Sequence, residues 1–342
     1  MIVDRPLAAI NEILQSKRTL THEMAVALAT AFNTKPEYWM DLERNYRLAL
    51  VQEDPEIQRR ARLFAFAPVQ EMQRRSWIKE TTGVARIEEE PSRFFGIANL
   101  DEEPRIAMAA RKTAPQSPVN PEQRAWIRRA IQLAEEAPAQ RFNPSVLDDV
   151  LGELRTFADT AERFRFVPEV LAKSGVRFVV VEHLHRSRID GATTWLDGNQ
   201  PVVALSARND RIDSVWHTLF HELSHVKHGD AFSIDQDLTG QERQRTEDKN
   251  EIERRADLEA AERLISSEAM AAFIDKTKPF FSKTRIARFA TQQKIHPGIV
   301  VGQLQNRGLI GWQTNRETLV KVREFLTRNA TTDGWGTVPV LP

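Results

Sequence analysis

The sequence predicts a mostly helical α+β protein. Apolar residues recur at helical spacing in most segments between residue 5 and residue 311. Only two runs, VRFVVVE at 176–182 and QPVVALSA at 200–207, have the apolar, β-branched character of strands. Just after the second run, DSVWHTLFHELSHVKHG at 213–229 contains His221, Glu222 and His225 in an HExxH pattern, the spacing by which a zinc peptidase helix holds its metal. With 342 residues the chain has room for several domains and a large core. It divides into helices at 1–52, a helical middle region at 53–165, a small α/β core at 166–275, and a helical C-terminal element with its tail at 276–342.

Composition narrows the function classes. Basic and acidic residues balance at 48 each, so no global charge draws the chain to nucleic acid or to a membrane, and any such binding needs a local patch. With no cysteine there is neither a disulfide framework nor a thiolate ligand, which leaves nitrogen and oxygen to hold a metal. No apolar run approaches the ~18 residues of a membrane span, and the start has no signal-peptide pattern. A cytoplasmic protein with no membrane partner is expected.

The first fifty residues read as three helices. Asp4 caps RPLAAINEILQ with Pro6 in its first turn, Lys17 and Arg18 form a basic turn, Thr21 caps HEMAVALATAF, and Pro36 opens EYWMDLERNYRLAL. The run DRPLAAINEILQSKRTLTHEMAVALATAFNTKPEYWMDLERNYRLA resembles the back portion of the helix-turn-helix domain of HigA-type antitoxins and other XRE-type, phage-repressor-like regulators. That resemblance implies that the helix after Asp4 is the recognition helix, with Arg5 and Asn11 near DNA and Lys17 and Arg18 in a small basic patch. The family domain has two more helices ahead of it, so the expectation is a truncated domain that contacts DNA if the full-length form is longer. The other reading is a small helical packing module, in keeping with the six basic and six acidic residues among the first fifty.

In the middle region PVQEMQRRSWIKE, PSRFFGIANL and PEQRAWIRRAIQLAEEA are amphipathic, whereas KTAPQSPVNP at 112–121 reads as an exposed linker. Trp77, Phe94, Phe95 and Trp126 lie in the amphipathic stretches as core residues. After the strand at 176–182 comes a turn-rich stretch ending at Asp197-Gly198-Asn199, then the strand at 200–207.

The helix at 213–228 is expected to start at Asp213 as N-cap and to end at Gly229. Val215, Trp216, Leu219, Phe220, Leu223 and Val226 fill an apolar arc of about 140°, and His217, His221, His225 and His228 share an arc of about 80° on the opposite side. His221 and His225 lie one above the other and can reach a single ion, and Glu222 sits about 100° round, where a general base belongs. A solvated polar face is the other reading of this stripe. In 250–266, NEIERRADLEAAERLIS, the apolar side is Ile252, Ala256, Ala260, Ala261 and Leu264. Glu253 projects into the middle of that side, where an unmet carboxylate is costly. It is the third ligand, or else it pairs with a neighbouring arginine; Asp257, one turn on, is placed to orient a ligand histidine.

The block from HLHRSRIDGATTWLDGNQPVVALSARNDRIDSVWHTLFHELSHVKHGD through EIERRADLEAAERLI resembles the ImmA/IrrE family of metallo-endopeptidases. The likeness continues into RIARFATQQKIHPGIVVGQLQNRGLI and covers roughly half the chain. It implies a zincin-like core whose HExxH helix is followed by a ligand Glu in an E-x-x-A-[DN] helix, which falls on Glu253 to Asp257 here. It also implies a zinc cofactor and, as substrate, a transcriptional repressor or antitoxin. Zincins lay the substrate antiparallel along a sheet edge, and PVVALSA is either that edge or a buried strand. Many zincins stabilise the oxyanion with a Tyr or a distant His. Both tyrosines here, Tyr38 and Tyr46, lie near the N-terminus, so His217 and His228 are the candidates for that catalytic help. The reading from another class is a non-catalytic, antitoxin-like DNA-binding regulator whose zinc fold acts as sensor or scaffold.

At the C-terminal end Ser282 caps KTRIARFATQQ, Lys294-Ile295-His296 make a turn, and Pro297 opens GIVVGQLQNRG. The pair has a helix-turn-helix shape and is either a packing element or a contact for nucleic acid or protein.

Overall fold

The computed structural model describes residues 6–51, 55–80, 84–102, 104, 119–231, 233–236 and 251–333. Asp4, Arg5 and most of the proline-rich stretch at 112–121 lie outside the described residues. The chain forms two compact units, Met1–Arg60 and Ala61–Pro342.

In the first unit α2 (His22–Phe32) and α3 (Pro36–Leu50) follow the capping signals, whereas α1 (Leu7–Leu14) has Pro6 at its cap position and not in its first turn. The Thr21 hydroxyl accepts the Met24 amide at 3.3 Å, and Asn33 closes α2 in the left-handed region at φ 48°. Leu20, Met24 and Ala25 are buried, with Ile10, Ile13, Leu28, Trp39 and Met40 packed against them. Asn11, Lys17 and Arg18 are exposed, and Arg18 pairs with Glu12 at 3.6 Å.

The second unit is a mixed sheet between helices, mostly helical in all. After α4 (Pro55–Phe66), within which the division at Arg60 falls, α5 (Val69–Arg74), α6 (Val84–Phe95) and α7 (Pro121–Glu136) lead to α8 (Leu147–Thr156) and α9 (Val167–Ser174). The strands are β1 (Arg177–Val180), β2 (Ile189–Leu196), β3 (Gln200–Leu205), β4 (Ser233–Gln236) and β5 (Thr331–Thr332), in spatial order β4-β2-β3-β1-β5. β1 runs parallel to β3 and β5, while β2 runs antiparallel to β3 and β4. Successive side chains leave opposite faces of a strand, so Phe178, Val180, Val203 and Leu205 enter one core while Val179, Val181, Val202 and Ala204 enter the other. The second core holds Phe94, Phe95 and Trp126, whose indole donates to the Val181 carbonyl at 2.8 Å; Trp77 is half-buried and stacks on Phe94.

Of the two readings of the run at 200–207, the buried strand holds: β3 lies between β2 and β1, and both its faces are buried. The stretch at 183–199 is not only turns, because β2 fills its second half and meets β3 across a turn at Asp197 and Gly198, both left-handed at φ 51° and 73°.

Helix α10 (Ile212–His228) carries the HExxH pattern, and α11 (Glu251–Leu264) packs along it through Ala256 and Ala260, small residues that let the two backbones approach. Helices α12 (Ser267–Thr277), α13 (Lys283–Gln293), α14 (Pro297–Asn306) and α15 (Arg323–Leu326) complete the core beneath. Asp213 is not the N-cap of α10. The cap position is Arg211, and the first amide, Ile212, donates to the Val320 carbonyl at 3.0 Å. Asp213 sits inside the first turn, buried, bonded by Arg211 at 2.7 and 3.1 Å and roofed by Gly302 of α14, where any Cβ would overlap its carboxyl group. Gly229 ends the helix at φ 67° as expected. Ile252 is exposed, so the apolar side of α11 begins at Ala256.

The α13–α14 pair is built into the core through Ile286, Phe289, Ala290, Ile299, Val300, Val301 and Leu304, so the packing alternative is realised. Its turn contains a pH-sensitive cap. His296 Nδ1 accepts the Gly298 amide at 3.1 Å, and burial lowers the imidazole below its ordinary 6.5 despite Glu162 and Asp213 nearby. The unfolded chain therefore takes up this proton at higher pH than the folded one. The stabilisation is complete above about pH 6.5 and is lost as pH falls through the folded value. His296→Asn, which keeps an acceptor without a titrating ring, should flatten the decline in urea-unfolding free energy between about pH 7.5 and 5.5, where losing the cap costs about 1 kcal/mol. Equal slopes in the two proteins would assign the pH dependence to other groups.

Candidate metal centre

Four residues apart on α10, His221 and His225 are fully buried and turn their Nε2 atoms towards each other at 3.2 Å. From α11 the Glu253 carboxylate reaches the same point, its Oε2 standing 3.1 Å from His221 Nε2 and 3.8 Å from His225 Nε2. Of the neighbouring arginines, Arg255 binds Asp230. These three distances place the donor atoms on a circle of radius about 2.0 Å, the length of a zinc bond to imidazole nitrogen or carboxylate oxygen. Two nitrogens and one oxygen also match zinc in donor type, and three protein ligands leave a position open for water.

The far side of each imidazole faces a carboxylate. Asp257 Oδ1 lies 3.1 Å from His221 Nδ1, and Asp230 Oδ2 lies 2.8 Å from His225 Nδ1. With the proton held on Nδ1, each Nε2 presents its lone pair to the shared point. Burial pushes the Asp257 carboxyl up, but hydrogen bonds and charge from His217 and His221 outweigh it and hold Asp257 well below the usual carboxylate range. The structure thus brings Asp257 beside His221 and His217.

His217, His221 and Asp257 form a second group with ligand spacing that shares His221 with the first. It is the looser of the two, with ring centroids 6.2 Å apart for His217 and His221 against 4.9 Å for His221 and His225. His217 Nε2 faces Asp257 Oδ1 at 3.4 Å. His228 is exposed and bonds Glu259 at 2.8 Å, the same carboxylate that accepts from Ser224. Neither His217 nor His228 is brought to the three-atom cluster.

Glu222, next to His221 in the chain, lies against β2. It is completely buried, and its Oε2 accepts a 2.7 Å hydrogen bond from the Thr193 hydroxyl. Room for it comes from Gly191, two residues earlier on the strand, where a Cβ would overlap Glu222 Oε1. Sequence reasoning missed Thr193 and Gly191, because the only signal, an alternate G-x-T in a run with strand-breaking Asp and Gly, acquires meaning once β2 is laid over α10. No protein-family model matches this chain, no curated protein is similar to it, and no solved structure matches it.

Proposed function

We propose that this protein is a zinc-dependent endopeptidase of a regulatory type, acting on a protein partner such as a transcriptional repressor or an antitoxin. One observation carries the reading: two buried histidines and a glutamate converge at zinc-bond radius, one residue away from a buried glutamate that is not among them. Such a site favours hydrolysis over mere metal storage because it pairs an open metal position with a candidate base. The class of substrate rests on the likeness of HELSH and ERRAD to the ImmA/IrrE pattern.

A zinc ion held by His221, His225 and Glu253 would supply Lewis acidity, lowering the pKa of water and polarising the scissile carbonyl. Glu222 accepts a proton from the attacking water, the carbon–nitrogen bond breaks, and the same carboxyl returns that proton to the leaving amine. Thr193 holds the Glu222 carboxylate against β2, so it is aimed before substrate arrives. A peptide adding to the sheet on this side meets β4, the strand outside β2. The test is replacement of Glu222 by glutamine, with zinc content and partner cleavage read on one preparation.

A further inference from the structure

We infer that Asp230 is a positioning residue for the second histidine of the metal centre, fixed in that role by Arg255; this rests on the zinc reading above. Neither residue stands out in the sequence. The left-handed Gly229 turns the chain back on the end of α10, so the Asp230 amide donates to the His225 carbonyl at 3.0 Å. On the other side, the Asp230 carbonyl accepts from the Trp195 indole of β2 at 2.8 Å. Held at both ends of its backbone, Asp230 brings its Oδ2 to 2.8 Å from His225 Nδ1. The Arg255 guanidinium donates to the same oxygen at 2.5 Å.

Arg255 lies on α11 between Glu253 and Asp257, so one contact ties the turn behind the second ligand to the helix that bears the third. A plain surface ion pair explains less. An Arg–Asp pair at a partly exposed site stabilises by only about 0–1 kcal/mol and has no need of an imidazole. Here the carboxylate is aimed at a fully buried ring, with 15% of its own side chain exposed. A carboxylate on Nδ1–H fixes the tautomer that leaves the Nε2 lone pair for a metal, and it raises the basicity of that nitrogen. Asp257 stands in the same relation to His221 at 3.1 Å. Each ligand histidine thus has an aspartate beside its Nδ1, one from α11 that also faces His217, and one from the turn after α10.

The test uses the full chain with zinc alone as probe, titrated against a chromophoric chelator, together with the visible spectrum of the cobalt-substituted protein. Asp230→Ala should bind zinc about 10- to 100-fold more weakly and shift the cobalt bands, while the metal-free protein keeps its circular dichroism. Asp230→Asn preserves shape and an acceptor for Nδ1–H, so it should fall between that variant and wild type. If Asp230→Ala fails to fold, Asp230→Asn decides, and wild-type zinc affinity with an unchanged cobalt spectrum overturns the inference. The same result in folded Asp230→Ala overturns it as well. A wild-type chain that binds no zinc overturns the metal reading and this inference with it, whereas a zinc-binding wild type with an indifferent Asp230→Ala overturns the inference alone.

Discussion

Glu222→Gln should retain its zinc and cleave the partner between roughly 100-fold and 10,000-fold more slowly than the wild type, the range over which a positioned acid–base group acts. Glutamine has the size of glutamate, and its amide oxygen still accepts from the Thr193 hydroxyl, which in the wild type lies 2.7 Å from Glu222 Oε2. The fully buried pocket beside Gly191 therefore stays filled. The metal donors are untouched, because Glu222 is not one of the three atoms on the circle. What disappears is proton affinity, since a neutral amide neither takes a proton from water nor returns it to an amine. Following the intact mass of a purified partner over time, with metal analysis of the same sample, separates the outcomes. Loss of zinc along with activity would make Glu222 a ligand. Cleavage at the wild-type rate would place the base elsewhere, and a zinc-loaded wild type that cleaves no partner would favour the non-catalytic sensor or scaffold.

How legible a residue is in the sequence depends on the range of the interaction that defines it. His221, His225, Glu253 and Asp257 could be read because each pair shares a helix, and helical spacing fixes which side chains stack. That the two helices meet was readable too, from Glu253 set beside the alanines of α11. Thr193, Gly191 and Asp230 could not be read in this way. Their roles arise where a strand crosses a helix or a turn folds back, and β2 itself carries Asp190 and Gly191, residues that local propensity assigns to turns. For β3 the buried one of the two readings holds. Its unbroken apolar run is the signature of a strand covered on both faces, which β1, β2 and the helices provide. At Asp213 the preference of aspartate for a cap lost to a distant acceptor, the Val320 carbonyl, which meets the first amide of the helix one residue earlier.

The metal ligands should be separable by single replacements, because the two donor groups on the histidine stripe share only His221. The purified chain is expected to carry one zinc, and His221→Ala, His225→Ala and Glu253→Ala should each weaken it by at least about ten-fold. A zinc ion bound to the folded chain alone would stabilise it, so stripping it with a chelator should lower the melting temperature; at free zinc about 100-fold above Kd the bound ion would add about 2.7 kcal/mol. The alternative group, His217, His221 and Asp257, makes the opposite prediction for two of these side chains. If it holds the ion, His225→Ala and Glu253→Ala keep full occupancy while His217→Ala loses it. If the tighter group holds it, His217→Ala keeps zinc, since His217 is not among the three donors and faces Asp257 at 3.4 Å. Asp257→Ala weakens binding in both cases, as a ligand in one and as the carboxylate behind His221 in the other, so it cannot discriminate. His217→Ala and Glu253→Ala, compared in one metal titration, can: zinc retained by the first and lost by the second assigns the ion to the cluster at about 2.0 Å radius, next to the proposed base Glu222.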